Sequence, residues 1–135
     1  MKLTQSPISL SLLLVEDEKT ARDLIARMLA MKFPNCTIHT AVNGIVGMEI
    51  FKQFTPDIVI TDIKMPVMDG VEMIREIKSA YTNITYIVVT AYSDKVNINK
   101  FEDLGVCSYL LKPLDFDELF AAIERCSAKI TLHAE

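Results

Sequence analysis

The most constraining feature of the sequence is the alternation of short apolar segments with segments of helical periodicity. Five segments are predicted as strands: 10–15, 37–40, 58–61, 86–89 and 108–111. The cores of two of them, 58–60 and 87–89, consist only of isoleucine and valine. Continuously apolar, β-branched strands are typical of a sheet that is covered on both faces, as parallel sheets are.

Helical patterns lie between and after these strands. Apolar residues recur at helical spacing within 21–29, 47–54, 71–77 and 119–130, and a weaker pattern lies around 96–104. Asp115, with Glu118 three residues later, is typical of a helix start. Strand–helix alternation with short connections predicts right-handed crossovers. We therefore predict an α/β fold: a doubly wound, five-stranded parallel sheet with the flavodoxin-like order 2-1-3-4-5.

Length and composition limit the function classes. The 135 residues suffice for one domain, which we predict at 10–129, after an N-terminal extension (1–9) and before a tail or linker start (130–135). The net charge of −4, without a basic run, argues against direct binding of nucleic acid or an anionic membrane. No segment has the roughly 20 apolar residues that span a bilayer, and acids follow the apolar run 12–15. We expect a cytoplasmic protein.

The cysteines and histidines do not predict a metal site. Cys36, Cys107 and Cys126 are too few and too scattered for a disulfide framework or a C-x-x-C site. We expect them to be small buried hydrophobic residues in a reducing compartment. His39 and His133 are far apart and have no cysteine at ligand spacing.

Polar residues follow or end four of the predicted strands. These are Glu16 and Asp17, Asp62, Thr90, and Lys112. Because the carboxyl ends of parallel strands meet at one edge of the sheet, we expect these groups to converge there. Three carboxylates crowded together require a positive partner, and Mg²⁺ prefers oxygen ligands of this kind. A carboxylate can also act as the nucleophile toward a phosphoryl group, which makes Asp62 the candidate acceptor.

Four motifs occur in the order and with the spacing of a known family. They are residues 12–18 (LLLVEDE), 57–70 (DIVITDIKMPVMDG), 89–91 (VTA) and 109–113 (YLLKP). On these motifs the chain resembles the receiver domains of two-component response regulators, over about residues 10–128. The resemblance implies a phosphorelay protein that takes a phosphoryl group from a histidine kinase or a phosphotransfer domain. It further implies signalling to an output domain or a separate partner, and no enzymatic function beyond the receiver's own phosphorylation and dephosphorylation.

The resemblance also implies roles for the polar residues. Asp62 would be the phosphoacceptor, and Lys112 and Thr90 would bind phosphoryl oxygens. Mg²⁺ would be held by Glu16, Asp17, Asp62 and the backbone carbonyl of Lys64.

A switch is implied as well. Thr90 would move toward phosphorylated Asp62 and Tyr109 would rotate inward, changing a surface of the predicted helix 96–104, the last strand and the last helix. Lys64 and Tyr92 would flank the route of attacking water, and since both are bulky we expect slow self-dephosphorylation.

The chain departs from the family pattern at two positions. The acidic pair is Glu16-Asp17 where two aspartates are common, and Gly47 stands where alanine is frequent, which should weaken that helix by about 1 kcal/mol. The Lys112–Pro113 peptide bond is expected to be cis, as in the family. The last strand opens with Cys107-Ser108 rather than with acids, so we do not predict dimerisation through a charged face.

Other interpretations stay open at this point. Asp17 could cap the first helix, and Asp69-Gly70 could be only the turn into the third helix. A haloacid-dehalogenase-type phosphatase also has an aspartate at a strand end, but it needs a second acid where this chain has Lys64. A degenerate receiver, acting only as an interaction module, is disfavoured because every site position carries a suitable group.

Overall fold

The computed structural model describes residues 4–91 and 104–134, with side chains described as far as residue 130. Its strands are β1 (Ser11–Val15), β2 (Thr37–Ala41), β3 (Ile58–Asp62), β4 (Thr85–Thr90) and β5 (Ser108–Leu111). Its helices are α1 (Lys19–Lys32), α2 (Gly44–Phe54), α3 (Gly70–Ala80) and α4 (Phe116–Ala134). The helical pattern predicted at 96–104 lies outside the described residues except for Leu104, which is buried.

The five strands form one parallel sheet in the order β2-β1-β3-β4-β5, which confirms the predicted topology. The register aligns the strand ends that carry the polar residues. Val15 of β1 lies opposite Thr61 of β3, and Asp62 lies opposite Val89 of β4. Thr90 in turn lies opposite Leu111. The residues that follow β1, β3, β4 and β5 are therefore at one edge of the sheet.

Each face of the sheet has its own hydrophobic core. Leu12 and Leu14 point into a core with α1 and α4, whereas Leu13 and Val15 point into the opposite core with α2 and α3. All four side chains are 2% exposed or less. Covering on both faces explains why the strands are continuously apolar rather than alternating.

Side-chain caps start the helices. Asn43 and Asp69 accept hydrogen bonds from backbone N–H groups at the starts of α2 and α3. Asp115 accepts from the N–H groups of Asp117 and Glu118, as the sequence predicted. The suggestion that Asp17 caps the first helix is wrong. Glu18 does so, accepting from two N–H groups, because α1 begins one residue later than that suggestion requires.

The N-terminal extension lies along the carboxyl end of α1. The N–H of Ser6 donates to the carbonyl of Lys32 at 2.8 Å, and Ile8, like the adjoining Leu10 of the domain, packs against the core between the sheet and α1. The thiol of Cys36 donates to the carbonyl of Ile8 at 3.3 Å. The described part of the extension thus contributes to the hydrophobic core.

The expectation of three free cysteines is wrong for two of them. Cys107, just before β5, forms a disulfide with Cys126 of α4, and their Cα atoms are 6.3 Å apart. Only Cys36 is a free thiol. Cys126 is fully buried, as expected, because it lies on the face of α4 that packs on the sheet. The pairing arises because α4 returns antiparallel across β5, which brings residues 19 positions apart into contact.

None of the helices in the described part of the chain combines the length and the apolar character needed to cross a bilayer.

Tyr86 provides a test of the core. Its side chain is buried, and no described residue forms a hydrogen bond with its hydroxyl group. Burial raises the pKa of this phenol well above its usual range. Tyr86→Phe should therefore increase the free energy of unfolding by about 1 kcal/mol, since it removes an unsatisfied polar atom. Urea unfolding measures the change.

The control for this prediction is Tyr81→Phe. The ring of Tyr81 packs edge-on against Phe51 at 4.9 Å, but the residue is only partly buried. Its hydroxyl group contributes little to the core, so we expect almost no change. Destabilisation by Tyr86→Phe would show that the hydroxyl group has a stabilising partner.

Candidate functional site

The carboxyl edge of the sheet brings together the polar residues predicted from the sequence. Asp62 is the last residue of β3 and Thr90 the last of β4. Glu16 and Asp17 directly follow β1, and Lys112 directly follows β5. Since β1, β3, β4 and β5 are neighbours in the sheet, these five residues surround one small volume.

Three carboxylates form the centre of this volume. One oxygen from each of Glu16, Asp17 and Asp62 lies within 4.8 Å of the others. Glu16 and Asp62 are buried, at 5% and 9% exposure, and Asp17 is more accessible. Burial raises the pKa of Glu16, and the neighbouring Asp17 and Asp62 act in the same direction. The N–H of Glu18, which donates to Glu16 at 3.0 Å, and the charge of Lys112 oppose this increase.

Lys112 is the ammonium group in contact with this cluster. Its Nζ is 2.5 Å from Oδ2 of Asp62 and 3.6 Å from Oε1 of Glu16. Burial alone would lower the pKa of Lys112, but the hydrogen bond to Asp62 and the charges of the carboxylates raise it above its usual value. The ammonium balances one of the three negative charges, so the cluster can accommodate a further cation.

The backbone around Asp62 is closely packed. Oδ1 of Asp62 accepts the N–H of Ile63 at 2.8 Å, and the hydroxyl of Thr61 donates to the carbonyl of Asp62 at 2.8 Å. The N–H of Gly70, at the start of α3, donates to the carbonyl of Ile63 at 2.8 Å. A Cβ atom at Gly70 would lie only 2.1 Å from the carbonyl oxygen of Asp62. The glycine therefore permits the close approach that fixes the Asp62 backbone.

Thr90 lies at the edge of the site but does not bond to Asp62. Its side chain is fully buried, its hydroxyl donates to the carbonyl of Ala91 at 3.3 Å, and its own carbonyl accepts the N–H of Lys112 at 2.9 Å. Tyr109 of β5 is partly buried against the core formed with α2 and α3. In this structure the hydroxyl of Thr90 therefore has a partner other than the carboxylate.

Two further residues were predicted to tune dephosphorylation. Lys64 is exposed in the segment after β3, and Tyr92 lies outside the described residues. The Lys112–Pro113 peptide bond is cis, as the resemblance implies.

The donor set fits a hard divalent cation. Carboxylate oxygens and a loop carbonyl are the ligands that Mg²⁺ takes in proteins, usually with several waters retained. Two of the carboxylates are held in place, Glu16 by the N–H of Glu18 and Asp62 by that of Ile63. The cluster is thus prepared for a cation without large side-chain movement.

An apolar cavity beside Asp62 was not predicted. Its volume is about 280 Å³, and its walls include Ala21 and Ile25 of α1 and Pro113 and Leu114 after β5. These segments are far apart in the chain, so no local sequence signal indicates the cavity. Glu16, Asp62 and Lys112 also line the cavity, so it adjoins the polar site.

Gly70 and Gly47 form a matched pair for testing the packing under Asp62. Gly70→Ala should lower the free energy of unfolding by more than about 2 kcal/mol, because the new Cβ meets backbone atoms that cannot move independently. Gly47→Ala should stay within about 1 kcal/mol of the wild type, since the closest atom is the flexible thioether of Met73 and alanine favours the helix. Urea unfolding of both variants checks the difference, and equal effects would contradict it.

Glu16 predicts a pH dependence of stability. A raised pKa in the folded state means that Glu16 favours folding below its ordinary pKa of 4.5 and loses that contribution as the pH rises through the raised value. In magnesium-free buffer, Glu16→Gln should therefore become more stable relative to the wild type as the pH rises toward neutral. Urea unfolding over a pH series measures this difference. Glu49→Gln, which alters an exposed carboxylate of α2, is the control. If the stability of Glu16→Gln relative to the wild type fell as the pH rose, the raised pKa of Glu16 would be contradicted.

Comparison with known proteins identifies the family to which this fold belongs. A family model described as the response regulator receiver domain matches residues 12–124. The DNA-binding transcriptional regulator NtrC of Escherichia coli (strain K12) is 36% identical over 111 residues, which are 82% of this chain and 23% of that protein. Sporulation initiation phosphotransferase F of Bacillus subtilis (strain 168) is 35% identical over 85 residues, which are 63% of this chain and 68% of that protein.

A solved structure has a similar fold. The receiver domain protein from Clostridium thermocellum is 29% identical, with a TM-score of 0.84 over 93% of this chain and 98% of that one. The chain spans about a quarter of the length of the Escherichia coli regulators that it matches. From the matched family model, the parallel sheet and the acidic cluster at its carboxyl edge, the chain belongs to the response regulator receiver family.

Proposed function

We propose that Asp62 accepts a phosphoryl group from the phosphohistidine of a histidine kinase or a phosphotransfer domain, in a reaction that depends on Mg²⁺. The observation that carries the proposal is the 2.5 Å contact between Lys112 and Asp62 beside two further carboxylates. A carboxylate that is both a nucleophile and part of a cation site suits phosphoryl transfer, in which positioning and charge neutralisation supply most of the catalysis.

In the proposed reaction, one oxygen of the Asp62 carboxylate attacks phosphorus and the bond from phosphorus to the histidine nitrogen breaks. Lys112 then bonds to a phosphoryl oxygen, and the hydroxyl of Thr90 turns from the Ala91 carbonyl toward another. Glu16, Asp17, Asp62 and the carbonyl of Lys64 would hold the Mg²⁺ ion. When bound, the ion neutralises charge on the transferring phosphoryl group.

The signal would leave the site through β5. Movement of Thr90 vacates space beside β5, and Tyr109 rotates into it, which changes the surface of 96–104, β5 and α4. That surface would contact an output domain of the same longer chain or a separate partner. NtrC is described as a DNA-binding transcriptional regulator, but this chain matches only 23% of it, so the kind of output belongs to the proposal. We also propose that the receiver domain spans residues 10–129 and that the protein is cytoplasmic.

Hydrolytic turnover is not part of this function. A phosphatase of the haloacid-dehalogenase type needs a second acid two residues after the nucleophile, and that position is Lys64. The side chains of Lys64 and Tyr92 would restrict the attacking water, so the phosphorylated form decays slowly. A phosphoryl half-life of seconds in the presence of Mg²⁺ would contradict this part of the proposal.

Incubation with a small phosphodonor and Mg²⁺ tests the main proposal. Intact-protein mass spectrometry should show the addition of one phosphoryl group, and chelation of Mg²⁺ should abolish it. Asp62→Asn should remove the addition completely, because an amide does not form the acyl phosphate. Asp23→Asn, an exposed change on α1, should leave it unchanged. If the wild-type protein gains no phosphoryl group, the chain is a degenerate receiver and the proposal fails.

A further inference from the structure

The disulfide joins two elements at the end of the sheet away from Asp62. Cys107 directly precedes β5, and its N–H donates to the carbonyl of Tyr86 at 2.8 Å. Cys126 lies within α4 and is fully buried. Lys112 is at the opposite end of β5. The covalent bond therefore connects the start of β5, which leads into Lys112 at its other end, to α4, which packs against β5.

The two cysteines differ in exposure. Cys107 is partly exposed and lines a cavity of about 360 Å³, whose walls include Asn83, Thr85 and Lys129. Cys126 has no exposed surface. We therefore expect a small thiol to attack the disulfide at Cys107 rather than at Cys126.

The remaining cysteine does not take part. The thiol of Cys36 donates to the carbonyl of Ile8, and burial raises its pKa, which keeps it in the unreactive thiol form. A thiol held in this form exchanges slowly with a disulfide, which limits scrambling between Cys36 and the pair.

The fold does not require the bond as a staple. Both faces of the sheet already have a continuous core, and a domain of 135 residues can be stable without cross-links. In a reducing cytoplasm, which the proposed function implies, disulfides are rare and are usually transient or redox-sensing.

We propose that Cys107 and Cys126 form a reversible redox switch, in which the disulfide ties α4 to the start of β5 and its reduction removes that covalent restraint while the hydrophobic core keeps the helix in place. For signalling, this inference rests on the proposed function, because β5 and α4 are two of the three elements of the proposed output surface. The oxidised form would restrict the movement by which phosphorylation changes that surface.

The exchange is balanced with a small thiol of the glutathione type as reductant. Its thiolate attacks the sulfur of Cys107, the disulfide bond breaks, and the sulfur of Cys126 leaves and takes up a proton. A second thiolate attacks the small-molecule sulfur of the mixed disulfide, and Cys107 leaves as the second thiol. The protein gains two electrons and two protons, and two small thiols become one small disulfide. Oxidation is the reverse reaction.

A glutathione titration of the full chain in a Cys36→Ser background tests the switch. The protein is equilibrated without oxygen in buffers from strongly reducing to strongly oxidising, the free thiols are alkylated, and intact masses are measured. The cross-linked fraction should rise from nearly none to nearly all. A cross-link that persists in the most reducing buffer would indicate a permanent staple. A cross-link that never forms in the most oxidising buffer would equally overturn the proposal.

Single variants test the assigned order of attack. With oxidised glutathione, Cys126→Ser should accumulate a mixed disulfide on Cys107, since the resolving thiol is missing. Cys107→Ser should accumulate far less, because Cys126 is buried. Equal modification of the two variants would contradict the assigned entry through Cys107.

Hydrogen exchange gives a readout in the native protein. Amides of α4 should exchange at least about tenfold more slowly in the oxidised form than in the reduced form. Identical exchange in both forms would show that the bond does not restrain the helix.

Repeating the glutathione titration with Asp62→Asn separates the proposed redox switch from the proposed phosphorylation of Asp62. The redox response should persist in this variant, so failure of phosphorylation and failure of the switch are observed independently.

Discussion

The geometry of the parallel sheet forces three carboxylates and one ammonium group into the same small volume. Glu16, Asp17 and Asp62 lie within 4.8 Å of one another, and the pKa of Glu16 is raised, mainly by burial and to a smaller extent by the two neighbouring carboxyl groups. Lys112 offsets part of the negative charge through its contact with Asp62. The negative charge that remains after this compensation favours a cation, and the ammonium against Asp62 favours an anionic group. Both properties are needed to bring a phosphoryl group to a carboxylate.

Much of the fold and of the site is predictable because it depends on local patterns that the sheet brings together. Apolar segments such as 58–60 identify strands that are buried on both faces, and the polar residue after each strand must then lie at the common edge. Asp62 and Lys112 are 50 residues apart, yet they meet because Asp62 ends β3 and Lys112 follows β5 at the same edge of one sheet. Strand ends that are distant in the sequence are adjacent in the parallel sheet. Once the strands are identified, the polar residues at their carboxyl ends are therefore expected to lie together.

The features that were missed depend on how one element lies against another. The rotation of α4 about its own axis, relative to β5, decides that Cys126 faces Cys107. Neither the number of cysteines nor their spacing in the sequence indicates this rotation. The exact first residue of α1 decides that Glu18 rather than Asp17 is the cap, a difference of one position that propensity does not resolve. The apolar cavity beside Asp62 likewise depends on the gap between α1 and the segment after β5. These are properties of packing, and sequence patterns constrain packing only weakly.

Strand β5 lies between the carboxylate site and the disulfide. Its carboxyl end leads into Lys112, which contacts the proposed acceptor, and its amino end follows Cys107, which is bonded to α4. Among the described strands β5 pairs only with β4, and α4 packs against it from one face. A covalent bond between β5 and α4 therefore changes how freely the edge strand responds to an event at its other end. Charge at one end of the strand and sulfur chemistry at the other act on the same element, and this is the physical basis on which oxidation and phosphorylation would be coupled.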